Sequence, residues 1–177
     1  MKLLIIILTV VIPLFSLGQL STSPGSATGL VQNVLLGNGV TVSNITFNGF
    51  PASIGSFTAA NSNLGLSSGV VLTTGTIFNN GSGPHGPNNT ESSGFDNGAP
   101  GYGPLGPIAG AQTFNAAVLE FDFVPYSDSV RFNYVFASEE YLEYVNTGFN
   151  DAFAFFISGP NISGQQNIAL LPNGQTV

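Results

Sequence analysis

The sequence predicts an all-β protein, and three features of its composition support this prediction. The 177 residues include 23 Gly and 11 Pro, which is too many helix breakers for a helical protein. The chain also has 15 Phe residues, and aromatic side chains are enriched in strands. Only 6% of the residues are charged, which excludes a disordered chain and a coiled coil. We therefore expect an antiparallel two-sheet sandwich, jelly-roll-like, with one short N-terminal helix.

The charge balance limits the partners of the chain. Lys2 and Arg131 are the only strongly basic residues, against nine acidic ones, and the formal net charge is -7. Such a chain would repel a phosphate backbone, so we expect no nucleic-acid partner. Because there is no cysteine, neither a disulfide nor a thiolate site can form. An acidic surface rich in Asn, Ser and Thr suits divalent cations, polyhydroxylated ligands or solubility outside the cell.

The N-terminus has the pattern of a secretory signal peptide. Lys2 precedes an apolar run from Leu3 to Phe15, and small residues precede a cut after Gly18. The run is shorter than the roughly 20 residues that a membrane-spanning helix needs. The expected organisation is a signal peptide at 1–18, a flexible lead at 19–26 and one β-sandwich domain at 27–177.

Changes in hydrophobic period predict the elements of the first half. A helix is expected from Ala27 to Leu36, because apolar residues recur there at helical spacing. From Val40 the period is two, and a phase slip near Asn44 predicts a β-bulge. Two further short strands are expected, followed by a long Gly-, Pro- and Asn-rich loop with a functional or capping role. The apolar positions of the helix are Leu30, Val31, Val34 and Leu35. The two strands are expected at Ile54–Thr58 and Val70–Thr74, and the loop is expected at Gly75–Gly110.

The second half contains the strongest strand patterns. Ala117 to Val124 and Val130 to Ala137 alternate between apolar and other residues, and the short connection between them predicts a hairpin. Ala152 to Ser158 is apolar on both faces, which is typical of a strand in the middle of a sheet. Ile168 to Leu171 begins a further strand. The side chains expected to be buried between two sheets are Phe121, Phe132, Phe136, Phe153 and Phe155.

An acidic loop follows the second of these strands. Its carboxylates lie close in sequence, with no nearby cation to offset their mutual repulsion. Exposure to water would offset it, and so would a bound Ca²⁺, which takes several carboxylate and carbonyl oxygens from loops. A third alternative is a glycosidase-like acid and base pair formed by Glu139 or Glu140 with Asp151. Because adjacent glutamates on a strand point to opposite faces, Glu139 and Glu140 are not expected to act together on one bond. The candidate Ca²⁺ ligands are Glu139, Glu140, Asn150 and Asp151, with Asp96 from the long loop.

Several sequence blocks resemble the choice-of-anchor L domain family, from about Leu30 to the last residue. The blocks are Leu30–Gly37, Val42–Gly49, Val118–Pro125, Phe136–Tyr141 and Phe149–Pro160. The resemblance implies a bacterial secreted or surface protein, often from Bacteroidota, whose domain precedes a C-terminal sorting or anchoring signal such as that of type IX secretion. Since the sequence stops at Val177 inside the family domain, we expect a domain incomplete at its C-terminus, with membrane or cell-wall attachment only through the missing anchor.

Two hypotheses about function remain open at this point. The first is a non-enzymatic module, secreted or on the bacterial outer surface, that serves adhesion or extracellular matrix interaction and is stabilised by Ca²⁺. The alternative is a carbohydrate-binding or carbohydrate-active, glycosidase-like domain, with Tyr102, Tyr141 and Tyr144 as candidates for a sugar platform. The expected ligand is accordingly an extracellular protein or glycan.

Overall fold

The computed structural model describes residues 20–59, 62–77, 97–138, 147–148 and 151–176. In these ranges the strands are β1 (Ser21–Pro24), β2 (Val40–Asn48), β3 (Ile54–Thr58), β4 (Ser68–Leu72), β5 (Val118–Pro125), β6 (Phe156–Ile157) and β7 (Gln166–Asn167). The helical segments are α1 (Ala27–Leu30), a π-helical turn (Val31–Leu35), 3-10 turns at Pro51–Ser53 and Gly103–Leu105, and α2 (Gly106–Ala109).

All strand pairs are antiparallel, which confirms the all-β class. The described strands form one three-stranded sheet in the order β1-β3-β4 and two two-stranded sheets, β2-β5 and β6-β7. They do not close into a two-sheet sandwich, so the jelly-roll-like arrangement stays a prediction. Part of the long loop expected at 75–110 is helical, since it contains α2 and the 3-10 turn before it.

The three-stranded sheet carries the main core. β3 occupies the predicted range and lies in the centre, while β4 begins two residues earlier than expected. The expected flexible lead instead contains β1, which pairs with β3 along its whole length. Pro24 is tolerated there because β1 is an edge strand, where a missing N–H breaks no ladder. The buried apolar residues of this region are Leu30, Val31, Ile54, Phe57, Ala59 and Ile77.

The predicted helix begins at the expected residue but changes its pitch. Ser26 caps α1, because its Oγ accepts a hydrogen bond from the Gly29 N–H at 3.2 Å. The following turn is π-helical, with the Leu36 N–H donating to the Val31 carbonyl oxygen. Leu30 and Val31 are buried, whereas Val34 and Leu35 are about two-fifths exposed, at 40% and 41%. The wider turn changes the angular spacing of the side chains, so the last two leave the buried stripe.

The bulge predicted near Asn44 is confirmed. β2 pairs with β5, and the register shifts between Ser43 and Thr46. Asn44 adopts a left-handed backbone conformation with φ of 52°, which Asn tolerates better than most residues. Its Nδ2 donates to Asp122 Oδ2 on the partner strand at 2.6 Å. The side-chain bond therefore links the strands where the backbone ladder is interrupted.

The predicted hairpin between 117–124 and 130–137 is wrong. β5 pairs with β2 instead, and the pairing continues past Pro125, since the Tyr126 N–H donates to the Gly39 carbonyl oxygen at 2.9 Å. Pro125 and Tyr126 therefore extend the pairing with the β2 side, and no ladder between β5 and residues 130–137 is present. Residues 130–137 form no regular strand. They run instead beside 151–155, as the ring contacts below show.

The two last predicted strands are shorter or shifted. Within 152–158 only β6 is a regular strand, and its partner β7 precedes the expected Ile168–Leu171. Asn167 explains part of this difference, because its side-chain Oδ1 accepts hydrogen bonds from the N–H groups of Phe155 and Ala169. A side chain thus replaces backbone partners that a longer ladder would use.

The prediction that five phenylalanines are buried between two sheets is wrong. Phe132 and Phe136 are exposed, at 45% and 38%. Phe121, Phe153 and Phe155 are only half-buried. Their alternation indicated correctly which residues share a face, but within the described ranges no second layer covers that face. Alternation reports a common face and does not by itself report what lies on it.

Candidate functional site

The predicted metal ligands can be located only in part. Glu139, Glu140, Asn150 and Asp96 lie outside the described residues. Asp151 is exposed, and its Oδ2 accepts a hydrogen bond from Ser138 Oγ at 2.6 Å. This bond brings the two ends of the acidic loop together.

The described residues contain neither a cluster of metal ligands nor the complete set of candidate platform tyrosines. Among the residues that the structure describes, no group of three or more His, Cys, Asp or Glu could hold a metal ion. Because the other predicted ligands are not among them, the Ca²⁺ site stays a prediction. Of the three tyrosines proposed as a sugar platform, Tyr141 and Tyr144 lie outside the described ranges. Tyr102 is half-buried and packs on Phe156 with ring centroids 6.3 Å apart.

The main surface feature is an aromatic face, which we define as Phe132, Tyr134, Phe136, Phe153 and Phe155. The rings of 132, 134 and 136 contact those of 153 and 155 in an antiparallel order. Phe132 meets Phe155 edge-on at a centroid distance of 4.5 Å. Phe153 lies stacked between Tyr134 and Phe136, at 5.4 and 5.3 Å. These distances fall within the range of favourable aromatic pairs.

The aromatic face is accessible although its rings pack on one another. Phe132, Tyr134 and Phe136 are exposed by 45%, 41% and 38%. Val130, on the same phase of the segment, is 46% exposed and extends the apolar surface. Contiguous exposed apolar patches are uncommon on soluble monomers, and they often mark interaction sites. Sequence reasoning found these residues through their alternation but assigned them to the core.

Carboxylates lie at both ends of the aromatic face. Asp128 precedes the segment that carries Phe132, and Asp151 precedes the one that carries Phe153. Since the two segments run antiparallel, these aspartates lie at opposite ends. Both are exposed. Asp151 therefore lies at one end of the face, and the other end carries Asp128 together with the exposed Arg131.

A second surface feature is a shallow open groove of about 370 Å³ at the end of the π-helical turn. Its lining contains no charged side chain and no residue that the sequence suggested as a site. Tyr126, which belongs to the wall, is 71% exposed. The only sequence signal for Tyr126 is its position directly after the strand pattern of β5. The lining residues are Gln32, Leu36, Gly37, Asn38, Gly39, Val40, Val42 and Tyr126.

Residues 19–177 match the family model of the Choice-of-anchor L domain. The chain belongs to this family. Membership confirms the resemblance and identifies a choice-of-anchor domain of a surface or secreted protein. No curated protein and no solved structure matches the chain. None of the helices in the described parts of this choice-of-anchor L domain is long and apolar enough to cross a bilayer.

Proposed function

We propose that this choice-of-anchor L domain is a non-enzymatic module of the bacterial outer surface that serves adhesion by binding an extracellular protein. The observation that carries this proposal is the exposed aromatic face. Aromatic side chains are enriched at protein interfaces, where a few of them often supply most of the binding free energy. Family membership supports the location at the surface or outside the cell.

The ends of the face indicate the chemistry of the partner. Asp151 is exposed at one end, Asp128 and Arg131 are exposed at the other, and the whole chain is acidic, with a net charge of -7. Opposite charges at an interface rim speed association and disfavour wrong partners. The matching surface is an apolar patch with a Lys or Arg side chain that faces Asp151. Extracellular matrix proteins with basic surface regions are therefore the partner class to test.

The test measures binding of the protein to immobilised fibronectin and collagen. We expect saturable binding that weakens by about tenfold or more in a Phe132→Ser/Phe136→Ser double variant, because truncating central aromatics commonly costs at least 2 kcal/mol. Asp128→Asn with Asp151→Asn should mainly slow association and reduce its salt dependence. The matched control is Phe114→Ala, since Phe114 is 65% exposed and lies outside the face.

Three outcomes would count against this function. Binding that the double variant does not weaken, while its melting curve is unchanged, would remove the face as the binding surface. Absence of binding to both matrix proteins would contradict the matrix partner. Release of reducing sugars from polysaccharides, lost in Asp151→Asn, would instead show a glycosidase and contradict a non-enzymatic role.

We also propose that the acidic loop binds Ca²⁺, and the expected result is a calcium-dependent rise in stability. A ligand that binds only the folded state adds RT ln(1 + [L]/Kd), so free Ca²⁺ at about 100 times Kd adds roughly 2.7 kcal/mol. The measurement is a thermal melt in EDTA and in millimolar Ca²⁺. Asp151→Asn, Glu139→Gln or Glu140→Gln should reduce the shift, whereas Asp128→Asn, outside the loop, should not. Equal melts of the parent in both buffers would contradict the site.

A further inference from the structure

The groove beside Tyr126 is a shallow depression between the turn that precedes β2 and the residue that follows β5. The Tyr126 N–H donates to the Gly39 carbonyl oxygen at 2.9 Å, which fixes the start of the tyrosine side chain against the turn that precedes β2. Half-buried Leu36, Val40 and Val42 supply apolar surface. The groove has a volume of about 370 Å³ and is open to solvent, so a ligand would lie along it with one side exposed.

The polar groups of the groove are neutral and available. The side-chain amides of Gln32 and Asn38 are exposed, and they form no hydrogen bond with other residues in the described part of the chain. Each amide offers two N–H donors and one carbonyl acceptor. The Tyr126 hydroxyl can both donate and accept, and 71% of this residue is exposed. The groove therefore combines an accessible aromatic ring with donors and acceptors but no charge.

The neutral polar groups and the exposed ring of the groove favour one class of ligand over others. An anionic ligand would meet no cation in the lining and would approach a chain of net charge -7. A purely apolar ligand would leave the amides of Gln32 and Asn38 without partners, which disfavours its binding. A neutral sugar matches both parts, because its C–H face can lie on the tyrosine ring while its hydroxyl groups exchange hydrogen bonds with the amides.

We infer that the groove lined by Gln32, Leu36, Asn38 and Tyr126 is a subsite for a neutral glycan. Tyr126 stacks on the sugar ring, and the two amides bind its hydroxyl groups. This inference adds a second class of ligand, and none of the groove residues belongs to the aromatic face. Glycan binding by the groove does not depend on protein binding by the aromatic face.

The experiment is native gel electrophoresis of the protein in gels that contain a soluble polysaccharide. The probes are neutral mixed-linkage β-glucan and neutral mannan, with anionic alginate for comparison. We expect at least one neutral polysaccharide to retard the protein. Tyr126→Ala, which leaves the net charge unchanged, should weaken the apparent affinity by about tenfold or more, and Tyr126→Phe should retain most of it. Phe114→Ala, another exposed aromatic residue, is the matched control and should bind as the parent does.

If Tyr126→Ala does not fold, a second variant tests the same groove. Gln32→Ala with Asn38→Ala changes only exposed side chains and should also weaken retardation. Retardation by neither neutral polysaccharide, retardation by alginate alone, or undiminished retardation of both groove variants would overturn the inference. The Phe132→Ser/Phe136→Ser variant should still be retarded, so failure of the protein-binding role is distinguishable from failure of the glycan subsite.

Discussion

Replacing Ile77 with alanine is expected to lower the free energy of unfolding by about 2 to 5 kcal/mol. Its side chain is fully buried, at 0% exposure. The residue also joins β1 to the turn before β3, because its N–H donates to the Ala52 carbonyl oxygen at 2.8 Å and its carbonyl oxygen accepts from Thr22 Oγ1. Truncation removes buried methyl groups and leaves a cavity among backbone atoms that these bonds hold in place.

Urea unfolding followed by far-ultraviolet circular dichroism measures this loss, since the chain has no tryptophan to serve as a fluorescent probe. Ile77→Val should cost only about 0.5 to 1.5 kcal/mol. Ile168→Ala is the matched control, because Ile168 is 46% exposed and should lose less than Ile77. Equal losses in the two alanine variants would show that Ile77 is not a central core residue.

Gly55→Ala is expected to destabilise the three-stranded sheet by about 3 kcal/mol, at the upper end of the cost of overpacking. Gly55 lies in central β3, opposite Pro24 of β1. A Cβ at this position would overlap the backbone carbonyl oxygen of Ser23 and the Cδ1 atom of Ile77. The carbonyl belongs to the paired edge strand, so it can move only if β1 separates from β3.

The same urea experiment tests this second expectation. Gly159→Ala is its control, because an added Cβ there has no heavy atom within 4 Å. In an Ile77→Val background, which removes Cδ1, Gly55→Ala should cost less than in the parent, and the difference is the coupling free energy of the two positions. An unfolding midpoint of Gly55→Ala equal to that of Gly159→Ala would contradict the close approach of β1.

Local features of the fold were predictable where neighbouring residues decide them. The position of β3 follows from a short apolar run bounded by breakers, and the bulge follows from the phase slip at Asn44. The start of α1 follows from the apolar spacing after Ala27, and the structure adds the cap at Ser26. The π-helical turn could not be predicted, because the apolar residues of this segment recur at the ordinary α-helical period and give no sign of the wider turn.

The sequence predicted some features of the candidate sites and missed others. The phase of residues 130–136 indicated the shared aromatic face, since alternate side chains of an extended segment point to one side. Its exposure could not be predicted, because the same pattern describes a covered and an uncovered face. Tyr126 was missed, since its neighbours in the groove come from the turn after α1 and from β2, far away in sequence.

By itself, the sequence determined the all-β class, the acidic and cysteine-free character of the chain, the family and the faces of individual strands. These properties depend on composition, on motifs and on a period of two residues, which can be read within a short window. Only the tertiary structure decided that β5 pairs with β2, that residues 130–137 lie beside 151–155, and that the aromatic face is open to solvent. Alternation fixes the side on which a residue lies but is equally compatible with many neighbours, so the choice among them depends on contacts between distant segments.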